Sequence, residues 1–131
     1  MVSNYMLADL IAKIKNGQQA YLTVVEHRNS KLCKEFLEVL LREGFIQNFY
    51  FEDEDQGKII IELKYVKNQP AIFNIECYSR PGKRVYASLK SLWEIKNKNF
   101  GVVVLSTSKG VLTHREARKL NTSGEILCVV S

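Results

Sequence analysis

Apolar residues recur at Met6, Leu7, Leu10, Ile11 and Ile14. That helical spacing predicts a helix from a cap at Asn4 to Asn16, with Gly17 as its left-handed stop. Residues 21–26 read as a short strand. A second helix is expected from a cap at Asn29 or Ser30 to Arg42, its buried face made by Leu32, Phe36, Leu37, Val39, Leu40 and Leu41, and Gly44 ends it. Residues 45–52, aromatic and apolar, and 58–66 read as the strands of a hairpin, joined by an acidic loop with Gly57. Asn68-Gln69-Pro70 breaks the pattern, and a strand resumes over 71–78. Residues 88–95 suggest a short helix, 96–99 a polar loop and 101–105 a buried strand. Thr113 and Glu116 have the spacing of a capping box for a helix to about Leu120, before a last strand over 125–130. The expected class is α+β: an N-terminal α/β lobe over 1–68 packed on a C-terminal β-rich lobe with short helices over 69–131.

Composition narrows the classes. With 131 residues and 46% hydrophobic content the chain can bury a core as one domain or two small lobes. No apolar run is long enough to cross a bilayer and no secretory pattern opens the chain, so no membrane partner is expected. Cys33, Cys77 and Cys128 are odd in number, far apart and set among apolar neighbours, which suits reduced thiols in a reducing compartment. No Cys-x-x-Cys pair offers a zinc site, and Glu52-Asp53-Glu54-Asp55 lacks the alternation of a calcium loop, so no metal or cofactor is expected. A phosphate loop is absent, since Lys109 precedes Gly110 and position 105 is Leu105. Ser106 stands where a nucleophile elbow at Ser108 would need glycine, and neither His27 nor His114 presents itself as a base. An enzyme is not expected.

Charge divides the chain. Residues 1–75 hold nine Lys and Arg against ten Asp and Glu, whereas residues 76–131 hold ten against four, so the C-terminal part carries all of the +5 excess. Such asymmetry suggests a polyanion, with an uneven surface as the plain alternative. Two stretches there are informative. Arg80, Lys83 and Arg84 flank the Pro81-Gly82 turn and Tyr86 follows, a combination able to pair phosphates and stack on an unpaired base, or simply to form a solubilised hairpin. The run Val102 to Leu105 opens into Ser106-Thr107-Ser108-Lys109-Gly110, an edge that could recognise a ligand or be an ordinary polar turn. Arg115 and its neighbours follow on the short helix, whose N-terminus is expected near the hydroxyl turn and would favour a phosphate. In the first helix, Lys13, Lys15 and Asn16 fall in the expected last turn, where compensation of the helix dipole competes with RNA contact as their explanation.

In order and spacing, residues 79–86, 106–111, 113–118 and 124–126 resemble the signature of the small-subunit ribosomal protein eight family. Residues 8–16 and 31–46 resemble it less specifically. The resemblance implies a two-lobed structural protein that binds the central domain of small-subunit ribosomal RNA early in assembly, beside neighbouring small-subunit ribosomal proteins. It implies that Ser106, Thr107 and Ser108 contact an irregular RNA core, that Lys109, Tyr86, Arg80, Lys83, Arg84, Arg115, Gly124 and Glu125 belong to the same surface, and that Lys15, Asn16 and Lys31 meet a second RNA segment. An RNA-binding regulatory or protein-interaction module using this surface is the alternative. The chain departs from the family pattern at Ser3-Asn4-Tyr5, at His114 where aspartate is usual, and at Ser123 before Gly124. With the absence of a transit peptide, these departures favour the mitochondrial matrix over a bacterial cytoplasm or a plastid.

Overall fold

The computed structural model describes residues 4–52, 57–77, 86–87 and 101–131. Its class is α+β, and the backbone divides into two compact units, Met1–Phe73 and Asn74–Ser131. The expected acidic turn at 53–55, the basic turn at 79–84, the helix over 88–95 and the loop over 96–99 lie outside the described residues.

In the first unit, helices α1 (Asn4–Gln19) and α2 (Lys31–Arg42) accompany an antiparallel sheet of β1 (Val24–Arg28), β2 (Ile46–Phe51) and β3 (Lys58–Leu63) in the order β1-β3-β2. The central strand carries Ile59, Ile60 and Ile61 in succession, all buried. Leu7, Leu10, Ile11 and Ile14 of α1 are buried, as are Leu32, Cys33, Phe36, Leu37, Val39 and Leu40 of α2. The Ser30 side chain accepts from the Cys33 N–H at 3.2 Å, the cap expected at that end of α2. Gly44, with φ +80°, lies in the turn into β2.

Several boundaries differ from the sequence reading, and the strand expected over 71–78 shortens, among the described residues, to Ile75–Cys77. Helix α1 does not stop at Gly17 but runs through it to Gln19, and the left-handed residue is Tyr21 at φ 56°. Gly17 serves packing instead, because a Cβ there would stand 2.7 Å from Val25 Cγ1 and 3.1 Å from Leu63 Cδ1. The amides of Ala20, Tyr21 and Leu22 bond back to Asn16, Gln18 and Gly17, so the expected start of β1 is consumed in closing the helix and the strand slides to Val24–Arg28. The expected strand over 58–66 likewise ends at Leu63. Lys67 and Asn68, both at positive φ, form the two-residue turn between β4 (Tyr65–Val66) and β5 (Gln69–Pro70). This hairpin keeps residues 69 and 70 with the first unit.

The second unit is an antiparallel sheet of β6 (Ile75–Cys77), β7 (Tyr86–Ala87), β8 (Val102–Thr107), β9 (Gly110–Thr113) and β10 (Gly124–Val130), with helix α3 (His114–Lys119). The order is β6-β10-β8-β9, and β7 pairs with the other end of β10. Val103, Leu105 and Ala117 form a buried cluster, with Ile126 and Val129 packed against it. Strand β9 is absent from the sequence reading, and β8 runs two residues beyond its expected end.

Candidate nucleic-acid interface

The hydroxyl turn is the loop of a tight hairpin. Ser106 pairs with Val111 and Thr107 with Gly110, leaving Ser108 and Lys109 as the two connecting residues. On the other side of β8, Ser106 pairs with Glu125 and Thr107 with Gly124. Across β10, Glu125 pairs with Tyr86 and Gly124 with Ala87. One end of the sheet therefore carries two transverse rows, Tyr86–Glu125–Ser106–Val111 and Ala87–Gly124–Thr107–Gly110. Four chain segments meet there, and with them Tyr86, Ser106, Thr107, Ser108, Lys109, Gly124 and Glu125 come together.

Gly124 lets the strands approach this closely, since a Cβ at that position would collide with the Ser106 carbonyl oxygen. Gly110, at φ +111°, closes the hairpin in a region that side chains avoid.

The three hydroxyls have different duties. Thr107 Oγ1 donates to the Gly110 carbonyl at 2.9 Å and accepts from the Lys109 N–H at 3.1 Å. Its hydrogen bonds are spent on the shape of the turn. Among the described residues, neither the Ser106 nor the Ser108 hydroxyl makes a hydrogen bond; Ser108 is exposed and Ser106 half-buried. A rigid scaffold presenting open hydroxyls can read a polar ligand without first reordering itself.

Helix α3 is capped as expected. The Thr113 side chain accepts from the Glu116 N–H at 3.2 Å and Glu116 Oε1 accepts from the Thr113 N–H at 3.0 Å. Its position corrects the expectation that a helix N-terminus stands beside the hydroxyl turn. Strand β9 leads the chain away from the turn before α3 begins, and the helix returns antiparallel, so its C-terminal end lies there. Lys109 Nζ donates to the Leu120 carbonyl at 3.0 Å, which places the ammonium against the helix terminus a cation favours. The turn thus gains exposed Lys119 as a neighbour, a residue the sequence reading did not assign to the surface. The short strand β9 is what hid this return: four residues carry too little alternation to separate a strand from a loop. Arg115 is exposed in the first turn of α3.

Arg80, Lys83 and Arg84 lie outside the described residues. Lys15, Asn16 and Lys31 belong to the first unit, and all three are exposed. Because α1 continues to Gln19, Lys15 is not in its last turn, which holds no basic residue. Dipole compensation, which fades within a turn of the terminus, does not account for it.

Among the described residues no group of three or more His, Cys, Asp or Glu side chains could hold a metal, and no helix is long and apolar enough to cross a membrane.

The family model described as ribosomal protein S8 matches residues 5–131. The chain is 44% identical over 131 residues to the small ribosomal subunit protein uS8 of Salinibacter ruber, covering 98% of this chain and 94% of that protein. It is 44% identical over 127 residues to the protein of that name from Legionella pneumophila, covering 95% of each. The corresponding protein of Pseudomonas aeruginosa is 41% identical over 124 residues, again covering 95% of each.

Proposed function

The chain belongs to the ribosomal protein S8 family, and from that premise we propose that the end of its second sheet bearing Ser106 and Ser108 is the edge with which it reads RNA. The protein is a structural constituent of the small ribosomal subunit that binds small-subunit ribosomal RNA beside neighbouring ribosomal proteins, and it is not an enzyme. Within that role, the convergence of Tyr86, Ser106 and Glu125 in one transverse row, with Gly124 in the next, supports the reading. Those positions lie far apart in sequence, yet the sheet sets them side by side.

The division of labour follows from the side chains. Exposed cations such as Arg115 and Lys119 neutralise phosphates and fix register, which carries no sequence information, whereas the open hydroxyls of Ser106 and Ser108 face base or ribose edges. Arg80, Lys83 and Arg84 are assigned to the phosphate-contacting set, Lys15, Asn16 and Lys31 to a second RNA segment. The target is an irregular junction in the central domain of the small-subunit RNA, bound early in assembly.

Salt titration tests this reading. If about five phosphates are neutralised, log K for a ribosomal RNA fragment should fall by roughly 4 per decade of salt. An affinity that does not respond to salt contradicts it.

The compartment is a finer matter. Identities of 41–44% with bacterial proteins support a bacterial cytoplasm. The mitochondrial reading rested partly on His114, but this side chain supplies a buried hydrogen-bond acceptor, so its presence has a structural reason independent of compartment.

A further inference from the structure

Cys77 and Cys128 face each other across the β6–β10 ladder. Their position in that ladder follows from its end, where Asn74 and Ser131 exchange both backbone hydrogen bonds, at 3.0 and 2.9 Å. Antiparallel pairs alternate, so Ile75/Val130 is a non-hydrogen-bonded pair, Glu76/Val129 a hydrogen-bonded one, and Cys77/Cys128 a non-hydrogen-bonded one again. In such pairs the Cα atoms approach to roughly 4.5 Å and the side chains project from the same face. That separation lies within the range a disulfide spans without moving the backbone.

We propose that Cys77 and Cys128 are the site of an internal disulfide formed by exchange with a low-molecular-weight disulfide such as oxidised glutathione. The two thiols differ in access. Cys77 is partly exposed, on a strand that forms the edge of the sheet among the described residues, while Cys128 is fully buried between β6 and β8, opposite Val104. Cys77 is therefore the sulfur an external disulfide reaches first. Its thiolate attacks one sulfur of the reagent, the S–S bond of the reagent breaks, and one thiolate leaves with the electron pair. Cys128 then gives its proton to solvent and attacks the Cys77 sulfur, expelling the second thiolate. Two protein thiols are oxidised, one external disulfide is reduced to two thiols, and the two protons go with them.

Burial holds the Cys128 thiol far above the usual range, and the negative charge of a Cys77 thiolate pushes it the same way. Once Cys77 is in the mixed disulfide that charge is gone, which eases the second step. The third cysteine, Cys33, is fully buried in α2 of the other unit. It serves as an internal control.

The test uses the full chain, folded, in buffers of graded oxidised to reduced glutathione, followed by intact mass and peptide mapping. The protein should lose two hydrogens, yield a Cys77–Cys128 linked peptide, leave Cys33 reduced and show a higher thermal midpoint that dithiothreitol reverses. Cys128→Ala should stop at a mixed disulfide on Cys77, and Cys77→Ser should leave both remaining thiols reduced. A wild-type protein that halts at the mixed disulfide, a linkage involving Cys33, or a folded protein that stays fully reduced under conditions that oxidise its denatured form would each overturn the proposal.

Discussion

His114 Nδ1 accepts the backbone N–H of Val103 at 3.2 Å, a bond made inside the second unit where β9 has already ended. The last β8–β9 pair is Val104 with Thr113, and at the next residue the imidazole takes the place of the missing strand. Replacing His114 with leucine leaves the Val103 amide buried without that acceptor, at a cost of about 1–3 kcal/mol. His27 is also buried, but its ring nitrogens have no well-formed hydrogen bond among the described residues, only a weak approach to the Met6 backbone. His27→Leu should accordingly be neutral or mildly stabilising, and urea unfolding of the two variants at neutral pH checks the contrast.

Acid should weaken the fold through both histidines. Burial lowers the pKa of His114, with Arg118 and Arg115 adding to it; burial lowers that of His27, with Lys13 adding and Asp9 opposing. Protonating His114 Nδ1 would also break its bond to Val103. A depressed histidine pKa means that the unfolded state binds more protons below its ordinary value of 6.5, so stability is full above that pH and falls as pH drops through the folded value. Thermal midpoints between pH 7.5 and 5 should decline, and His27→Leu should flatten part of the decline.

Gly17→Ala sets two effects against each other. Helix propensity favours alanine by about 1 kcal/mol, but the new methyl would meet Val25 Cγ1 at 2.7 Å. Overpacking of this kind costs about 1–3 kcal/mol, so the variant should be destabilised on balance. The same change paired with Val25→Ala should recover most of the loss in a double-mutant cycle.

Thr107→Val removes the hydroxyl that ties Gly110 and Lys109 into the hairpin. It should lower stability by about 1–2 kcal/mol and weaken binding to every RNA tested, because the whole edge loses its shape. Gly124→Ala should do the same more severely, since its Cβ meets the Ser106 carbonyl backbone. Chemical denaturation and RNA affinity measured on the same preparations would register both losses together.

Local chemistry was legible in the sequence, and contacts between elements were not. The Ser30 cap and the Thr113–Glu116 box lie within three residues of their partners, so spacing alone reveals them. Gly17 misled because its reason is Val25 and Leu63, side chains contributed by strands that spacing along α1 cannot show. The hydroxyl turn was recognisable as a surface edge, but its register with Gly124 and Tyr86, and the return of α3 to Lys109, depend on a sheet order that no local pattern encodes. Which hydroxyl shapes the turn was likewise invisible, because Ser106, Thr107 and Ser108 differ only in their partners.

The central claim is that the open hydroxyls discriminate among RNAs while the exposed cations hold any RNA. Its most direct test is the ratio of affinities for a cognate junction and one with an altered core, measured at one salt concentration for wild type, Ser108→Ala and Arg115→Ala. The ratio should fall for Ser108→Ala and stay unchanged for Arg115→Ala, even as Arg115→Ala weakens both complexes. Equal loss of discrimination in the two variants, or none in either, would contradict the account.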